Sequence, residues 1–573
     1  MAHHGWVPVE DPDKLTPDGL KSPFGRLFPA ENIAYDSLGI SLFAGPDGPL
    51  GLKAPQPGEA GHKAPNPAGF TFFGQFVDHD LTEFRVIGEG NQIIPSNPTI
   101  GQRQKVLEDL IDPVTQLPTT TNGRSGRLDL DSVYGLLGNV QTDLFDADGL
   151  FVHEVVNVGE QNLPPDFKRG AEYRNNRLIA DPRNDENKLI AQIHLLFERL
   201  HNKIHADKRK AKPDAPAEDF APFGGEFNKT RDQVAKIYRQ IVIFDYLPRI
   251  VRPAQIRAVL EQFTRRKTFI QDTNARNDAI LERLGIGDEA VKDAVTIPVE
   301  FSHAVFRLGH TQLRDGYQLA GSIGLTNDPA FVSVPLFRRS TGFAGKPWDR
   351  DLRGDEQLYD GTANFHVDWP LFFKLSNAEP QGGEGIDTHL PSSIFRLPPP
   401  AIGEPPQSLA ERNIRRGVDF GLPGGQSVAR QLAQRYGFIA TIAEVFPKGV
   451  FGPGGSFPEV LKREPRLRWD TPLWYYVLRE AELAPDTPQL GAVGGYIVAE
   501  TLLCALLEAE VTEPDLGRRS EAIAIAAQAW LGKFDALNVD WQDTGPADPR
   551  HYTRPLASAD SIISLSQLIV FVS

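Results

Sequence analysis

The chain has 573 residues, 40% hydrophobic and 24% charged, the balance of a globular protein able to bury a large core rather than of a disordered chain. A formal net charge of -15 without any run of Lys and Arg leaves no electrostatic footprint for a phosphate backbone, so nucleic acid is excluded as the expected partner. Cys504 is the only cysteine and Met1 the only methionine, so no intramolecular disulfide can form and a reducing compartment is permitted.

In chain order, Met1 to Lys14 shows neither a basic n-region nor an apolar h-region. No later stretch is expected to reach the roughly 20 apolar residues that span a bilayer. The expectation is a soluble protein with no membrane span, cytoplasmic or exported without a classical signal peptide. Residues 1–67 read as an irregular N-terminal arm, and residues 68–573 as one large catalytic domain. Helical apolar spacing recurs at Phe72, Phe76 and His79; at Leu189, Ile193, Phe197, Leu200 and Ile204; at Ile237, Ile241, Phe244 and Leu247; and at Phe301, Val305 and Leu308. It returns at Ile497 to Leu507 and Ile523 to Leu531, while no comparable set of alternating strands appears. With 52 Gly and 47 Pro, many connectors are required, and Asp214 to Phe227 and Leu397 to Gln407 read as surface loops. The predicted fold is mainly α: a single helical domain with long Pro/Gly-rich loops and little β structure.

Four segments concentrate polar groups. On a helix, Gln75, Asp78 and His79 stand at i, i+3 and i+4, one polar face among Phe72, Phe73, Phe76 and Val77; taken alone, such a run is more often a solvated helix end. Asp181-Pro182-Arg183-Asn184-Asp185-Glu186-Asn187 leads into a long helix, and its Arg183 and Glu186 would by default be an ordinary surface pair. In Phe306-Arg307-Leu308-Gly309-His310, Arg307 and His310 share a face and Gly309 lets something bulky approach the backbone; His303 nearby reads as a core histidine. Asn413 to Gly424 reads as a capped turn with no chemistry of its own.

Together, Gly74-Gln75-Phe76-Val77-Asp78-His79-Asp80, Asp181-x-Arg183-x-x-Glu186, Phe306-Arg307-x-Gly309-His310 and Asn413-Ile414-x-Arg416-x-x-Asp419-x-Gly421-Leu422-Pro423-Gly424 resemble, in order, the signatures of the animal-type haem peroxidases of the peroxidase-cyclooxygenase superfamily. Tyr238-Arg239-Gln240-Ile241-Val242 and Tyr246-Leu247-Pro248-Arg249-Ile250 resemble a further segment of that family, in a form that looks bacterial. The resemblance runs from about Phe70 to Arg430. It implies haem b as cofactor, with His310 as the proximal iron ligand, Asn413 as the acceptor for its other ring nitrogen, and Arg307 beside it. It implies His79 as the base that takes a proton from hydrogen peroxide, Arg183 as the stabiliser of developing charge, and Gln75 as the holder of a distal water or small anion. Asp78 and Glu186 resemble the two carboxylates that become ester-linked to haem. Asn187 stands where one family member has a sulfonium-forming methionine, so a lower haem potential is expected. That favours bromide, iodide, thiocyanate or phenols over chloride as reductants. Phe420 replaces the usual histidine of the fourth signature.

Ser125, Asp129 and Asp131, with the backbone carbonyl of Arg127, alternate oxygen donors as a hard cation requires; the bland alternative is an acidic turn. The family places a calcium ion (Ca2+) here, completed by Asp80. The nearest alternatives are a fatty-acid dioxygenase of the same superfamily, which carries Tyr where Arg307 stands, and a silent haem-binding module, which need not keep His79, Arg183, Gln75 and His310 together. An oxidant-producing enzyme serving the response to oxidative stress also gives a reason for few sulfur residues: thioethers and thiols are oxidised first. Methionine placed at helix positions such as Leu200 or Leu313, if exposed, would test that reason.

Overall fold

The computed structural model describes residues 26–31, 33, 35–51, 66–87, 93–94, 120–135, 142–154, 157–158, 161–162, 165–170, 172, 177–275, 295–320, 331–336, 352, 366–376, 378–397, 408–437, 458–484, 489–511, 516–544 and 558–573. The principal helices are α1 (Ser37–Phe43), α2 (Gly69–Leu81), α3 (Lys188–Ala211), α4 (Gly225–Ile241), α5 (Pro253–Thr264), α6 (Leu409–Asp419), α7 (Leu473–Leu483), α8 (Ala492–Glu510) and α9 (Leu516–Thr544). The fold is mainly α. The strands among the described residues are short and antiparallel: Phe84–Ile87 pairs with Ile93–Ile94 and Thr120–Asn122, and Gly316–Ala320 with Phe331–Pro335, Tyr317 opposite Val334.

Helix α2 lies deep because apolar residues occupy most of its circumference. Phe73 packs against Tyr246 with ring centroids 5.5 Å apart, and Phe76 stacks on Phe197 of α3 at 5.3 Å. Helix α3 starts at Asn187, whose Oδ1 accepts from the amide of Leu189 at 2.8 Å, and ends on Lys208, Arg209 and Lys210. An amide cap at the start and cations at the end both suit the helix dipole. Helix α4 continues through a π-turn, Val242–Tyr246, into Leu247–Ile250; Pro248 cannot donate to the regular ladder, and a wider turn accommodates it.

Several expectations need correction. The N-terminal stretch is not irregular throughout, because α1 forms inside it, capped by Asp36 Oδ1 accepting from Gly39 at 2.7 Å. Its Leu27 and Phe28 are buried, and their amides donate to the buried Glu300 carboxylate at 3.1 Å each. Asp214 to Phe227 is not all loop, since Ala217–Phe220 is helical and α4 begins at Gly225; Phe220 and Phe227 are buried, which fixes both turns. Of Leu397 to Gln407, residues 398–407 lie outside the described residues. The Phe301 to Leu308 repeat is two pieces, an α-turn Val299–His303 and a 3-10 segment Val305–His310, broken at Ala304. The segment expected to be a turn from Asn413 is instead the last part of α6, and the turn comes only at Phe420–Gly421. Finally, α8 is long and apolar enough to span a bilayer by length and composition, contrary to expectation, but 83% of that window is buried inside the protein. It packs against α5, α7 and α9, so its apolarity is that of a core helix.

Candidate active site

Two helical pieces bring the polar segments together. The 3-10 segment Val305–His310 packs on α2, and the turn Pro182–Asp185 packs on both α2 and α3. On the otherwise buried α2, Gln75 and Asp78 are partly accessible; across from them Arg307 and Gly309 are partly accessible in an otherwise buried segment. A Cβ built on Gly309 would meet nothing within 4 Å. Gln75 and Asp78 thus share a face as their spacing predicts, and Arg307 and His310 share one because residues i and i+3 eclipse in a 3-10 turn.

His79 is fully buried, and its Nδ1 lies 2.9 Å from Oδ1 of Asn184. An amide oxygen only accepts, so with the Asn184 amide in this orientation the proton belongs on Nδ1 and the ring's lone pair on Nε2. Burial, then the Arg183 guanidinium, lowers the His79 pKa to about 3, which keeps the imidazole neutral. His310 is also lowered to about 3, by burial, then Arg307 and Arg416. Its Nδ1 lies 2.8 Å from the carboxamide nitrogen of Asn413. Half a turn of that amide puts Oδ1 in place to accept from Nδ1–H, the orientation a metal-ligating Nε2 requires.

Asp78 faces three cations. Burial raises its pKa, while Arg307, Arg183, Arg416 and a hydrogen bond from Thr82 Oγ1 at 3.1 Å oppose that rise. Glu186 is buried at the junction of the 3-10 turn and α3. Arg183 does not pair with Glu186: it donates through Nε and Nη2 to Asp181, at 3.0 and 2.6 Å, through Nη1 to the carbonyl of Thr82 at 2.6 Å, and through Nη2 to the carbonyl of His79 at 2.8 Å. Two neutral imidazoles oriented to present Nε2, open space beside Gly309 and the guanidinium groups of Arg307, Arg183 and Arg416 suit an anionic porphyrin and its iron.

The acidic loop reaches the same helix. Asp80, Asp129 and Asp131 bring carboxylate oxygens within 4.8 Å of one another. Asp80 accepts from the amides of Leu130 at 3.2 Å and Ser132 at 3.3 Å. Leu130 adopts φ 62° to deliver its amide, a left-handed conformation that costs about 1–2 kcal/mol outside glycine. Burial and the Asp129 charge raise Asp80 to about 7. Ser125 donates its amide to Asp131 at 2.9 Å, and Arg127 Nε donates to the carbonyl of Glu508 at 3.1 Å. His303, read as a core residue, is buried with its ring 4.1 Å from that of Phe420.

Sequence reasoning missed Arg124, which joins Glu83 at 3.4 Å, Asp131 at 3.5 Å and Asp181 at close range. It also missed Asn184, whose only signal was its place beside Arg183 in the second motif.

The family description "Animal haem peroxidase" matches residues 59–432. No curated protein matches the sequence significantly. Among solved structures, Peroxidase A from Dictyostelium discoideum is similar at 16% identity and a TM-score of 0.52, covering 88% of this chain and 90% of that one. The fatty acid alpha-dioxygenases of Arabidopsis thaliana and Oryza sativa are similar at 12% and 13% identity, with TM-scores of 0.48 and 0.45, each covering 98% of this chain and 89% of theirs.

Proposed function

This chain belongs to the animal haem peroxidase family, and on that premise we propose that it is a haem-dependent peroxidase, reducing hydrogen peroxide and oxidising small reductants such as bromide, iodide, thiocyanate or phenols. The observation that carries the reading is the pair of buried imidazoles, His79 on α2 and His310 on the segment packed against it, each oriented through Nδ1 by an asparagine amide.

His310 would hold the iron through Nε2 with Asn413 fixing its tautomer, Arg307 would lie beside the porphyrin, and Asp78 and Glu186 would carry ester links to it. When bound, haem supplies the redox-active iron at which peroxide is reduced and from which a reductant is oxidised. His79 accepts the peroxide proton at Nε2 and returns it to the departing oxygen. Gln75, accessible one turn away on the same face, holds the distal water or a small anion. The Arg183 charge favours the developing negative charge from behind the base, since its donors are engaged by Asp181 and two main-chain carbonyls. Calcium would be held by Asp80, Asp129, Asp131, Ser125 and the Arg127 carbonyl, a hard oxygen set in keeping with the three clustered carboxylates. Arg307, where the dioxygenases carry tyrosine, favours peroxidase over fatty-acid oxygenation.

The test is a Soret spectrum with a peroxide-dependent guaiacol assay, run beside a fatty-acid oxygenation assay. Peroxide-dependent turnover, reduced at least about 10²-fold in His79→Ala, is expected. A Soret band with fatty-acid oxygenation alone would transfer the chain to the dioxygenase reading, and a band with neither activity to a silent haem-binding module.

A further inference from the structure

A line of hydrogen bonds leads from His79 through Asn184 to residues without a part in the chemistry so far. Asn184 Oδ1 accepts from His79 Nδ1 at 2.9 Å, and Asn184 Nδ2 donates to Nδ1 of His194 at 3.0 Å. His194 Nε2 donates to Oε1 of Glu198 at 3.0 Å, and Oε2 of Glu198 accepts from Nε2 of His153 at 2.7 Å. Asn184 and His194 are completely buried and Glu198 nearly so, whereas the His153 side chain is 12% accessible. The His194 ring stands edge-on to Phe167 at 5.2 Å and to Phe76, three residues before His79, at 6.3 Å. Packing therefore fixes its plane.

The polarity of this line is set from its far end. An ionised carboxylate only accepts, so Glu198 calls for a proton on Nε2 of His194. A neutral His194 then presents a lone pair at Nδ1, which turns the amide nitrogen of Asn184 toward it and the amide oxygen toward His79. That oxygen calls for a proton on Nδ1 of His79 and leaves the lone pair on Nε2. Rotating the Asn184 amide by half a turn would set donor against donor at His79 and lone pair against lone pair at His194, a mismatch that is costly in a buried site.

We propose that Asn184, His194 and Glu198 are positioning residues that fix His79 in its proton-accepting tautomer, with His153 anchoring the carboxylate near the surface. Its catalytic consequence rests on the peroxidase reading; the tautomer itself does not.

The test combines histidine-selective nitrogen-15 NMR of the full-length chain in a diamagnetic state, the ferrous carbonyl form where haem is loaded, with stopped-flow kinetics. The His79 signals are assigned by their loss in His79→Gln. Parent and Glu198→Gln, whose amide oxygen still accepts from His194, are expected to keep the proton on Nδ1 of His79. Glu198→Leu and Asn184→Ala are expected to populate the Nε2–H tautomer and to slow the peroxide step about tenfold or more, leaving the reductant step unchanged. Asn184→Ala decides the matter alone if the Leu variant does not fold. An unchanged tautomer in Asn184→Ala, or Glu198→Gln behaving like Glu198→Leu, would overturn the proposal. Absence of any peroxide reaction would refute the peroxidase reading, while the nitrogen spectra would still decide the tautomer.

Discussion

Arg183 Nη2 donates to the main-chain carbonyl of His79 at 2.8 Å, so the cation of the second motif is tied to the backbone of the first. The same guanidinium binds Asp181 and the carbonyl of Thr82, and all of this is buried. Arg183→Ala leaves Asp181 and two carbonyls short of donors, and removing one partner of a buried pair costs about 3–5 kcal/mol. Chemical denaturation should register that loss. Arg183→Lys should recover only part of it, because an ammonium cannot reproduce the planar fork.

Haem should be covalently attached through Asp78 and Glu186. Denaturation in acidified organic solvent followed by mass spectrometry should leave haem mass on peptides carrying both residues, and Asp78→Ala or Glu186→Ala should leave a single bond. Quantitative release of free haem from peroxide-treated protein would falsify the linkage.

Chelation should destabilise the chain if Asp80, Asp129 and Asp131 share a calcium ion. Without it, carboxylates within 4.8 Å of one another, those of Asp80 and Asp131 buried, repel and favour protonation. The melting temperature should fall with chelator and recover with added calcium, whereas Asp129→Asn should lose most of that response. Equal melting curves with and without chelator in the parent would remove calcium from the site.

Acid should weaken the fold through Glu198. Burial raises its pKa, but His194 and His153 outweigh burial and bring it down to about 2 from its usual 4.5. A folded pKa below the unfolded one means the contribution is fully present above pH 4.5 and lost as pH falls toward 2. By linkage this is on the order of 3 kcal/mol. Glu198→Gln should flatten the stability profile in that window.

Methionine should shorten working life under oxidant only where oxidant reaches it. Leu200 and Leu313 are buried, so substitution there would report on packing. Leu38, Leu42 and Leu483 are exposed by 48, 41 and 40%. Methionine at these three positions should reduce turnovers before inactivation under excess peroxide with bromide. Equal turnover numbers, with the new methionines shown to be oxidised, would mean that their scarcity confers no protection.

What the sequence determined by itself is whatever depends on short range. The spacing of Gln75, Asp78 and His79 needed only a helix to form one face, and the aromatic residues around them ensured a buried one. Arg307 and His310, three apart, share a face in a 3-10 turn as they would in an α-helix, so their pairing survived the break at Ala304. The alternating oxygens from Ser125 to Asp131 lie within one loop. Tertiary structure decided the partners. His79 meets Asn184 across 105 positions and His310 meets Asn413 across 103, and no local period encodes contacts that arise only when separate helices pack. Arg124 and Glu198 look in sequence like ordinary charges on a loop and a helix. Burial makes each satisfy several groups at once, because a charge removed from water must find its hydrogen bonds within the protein.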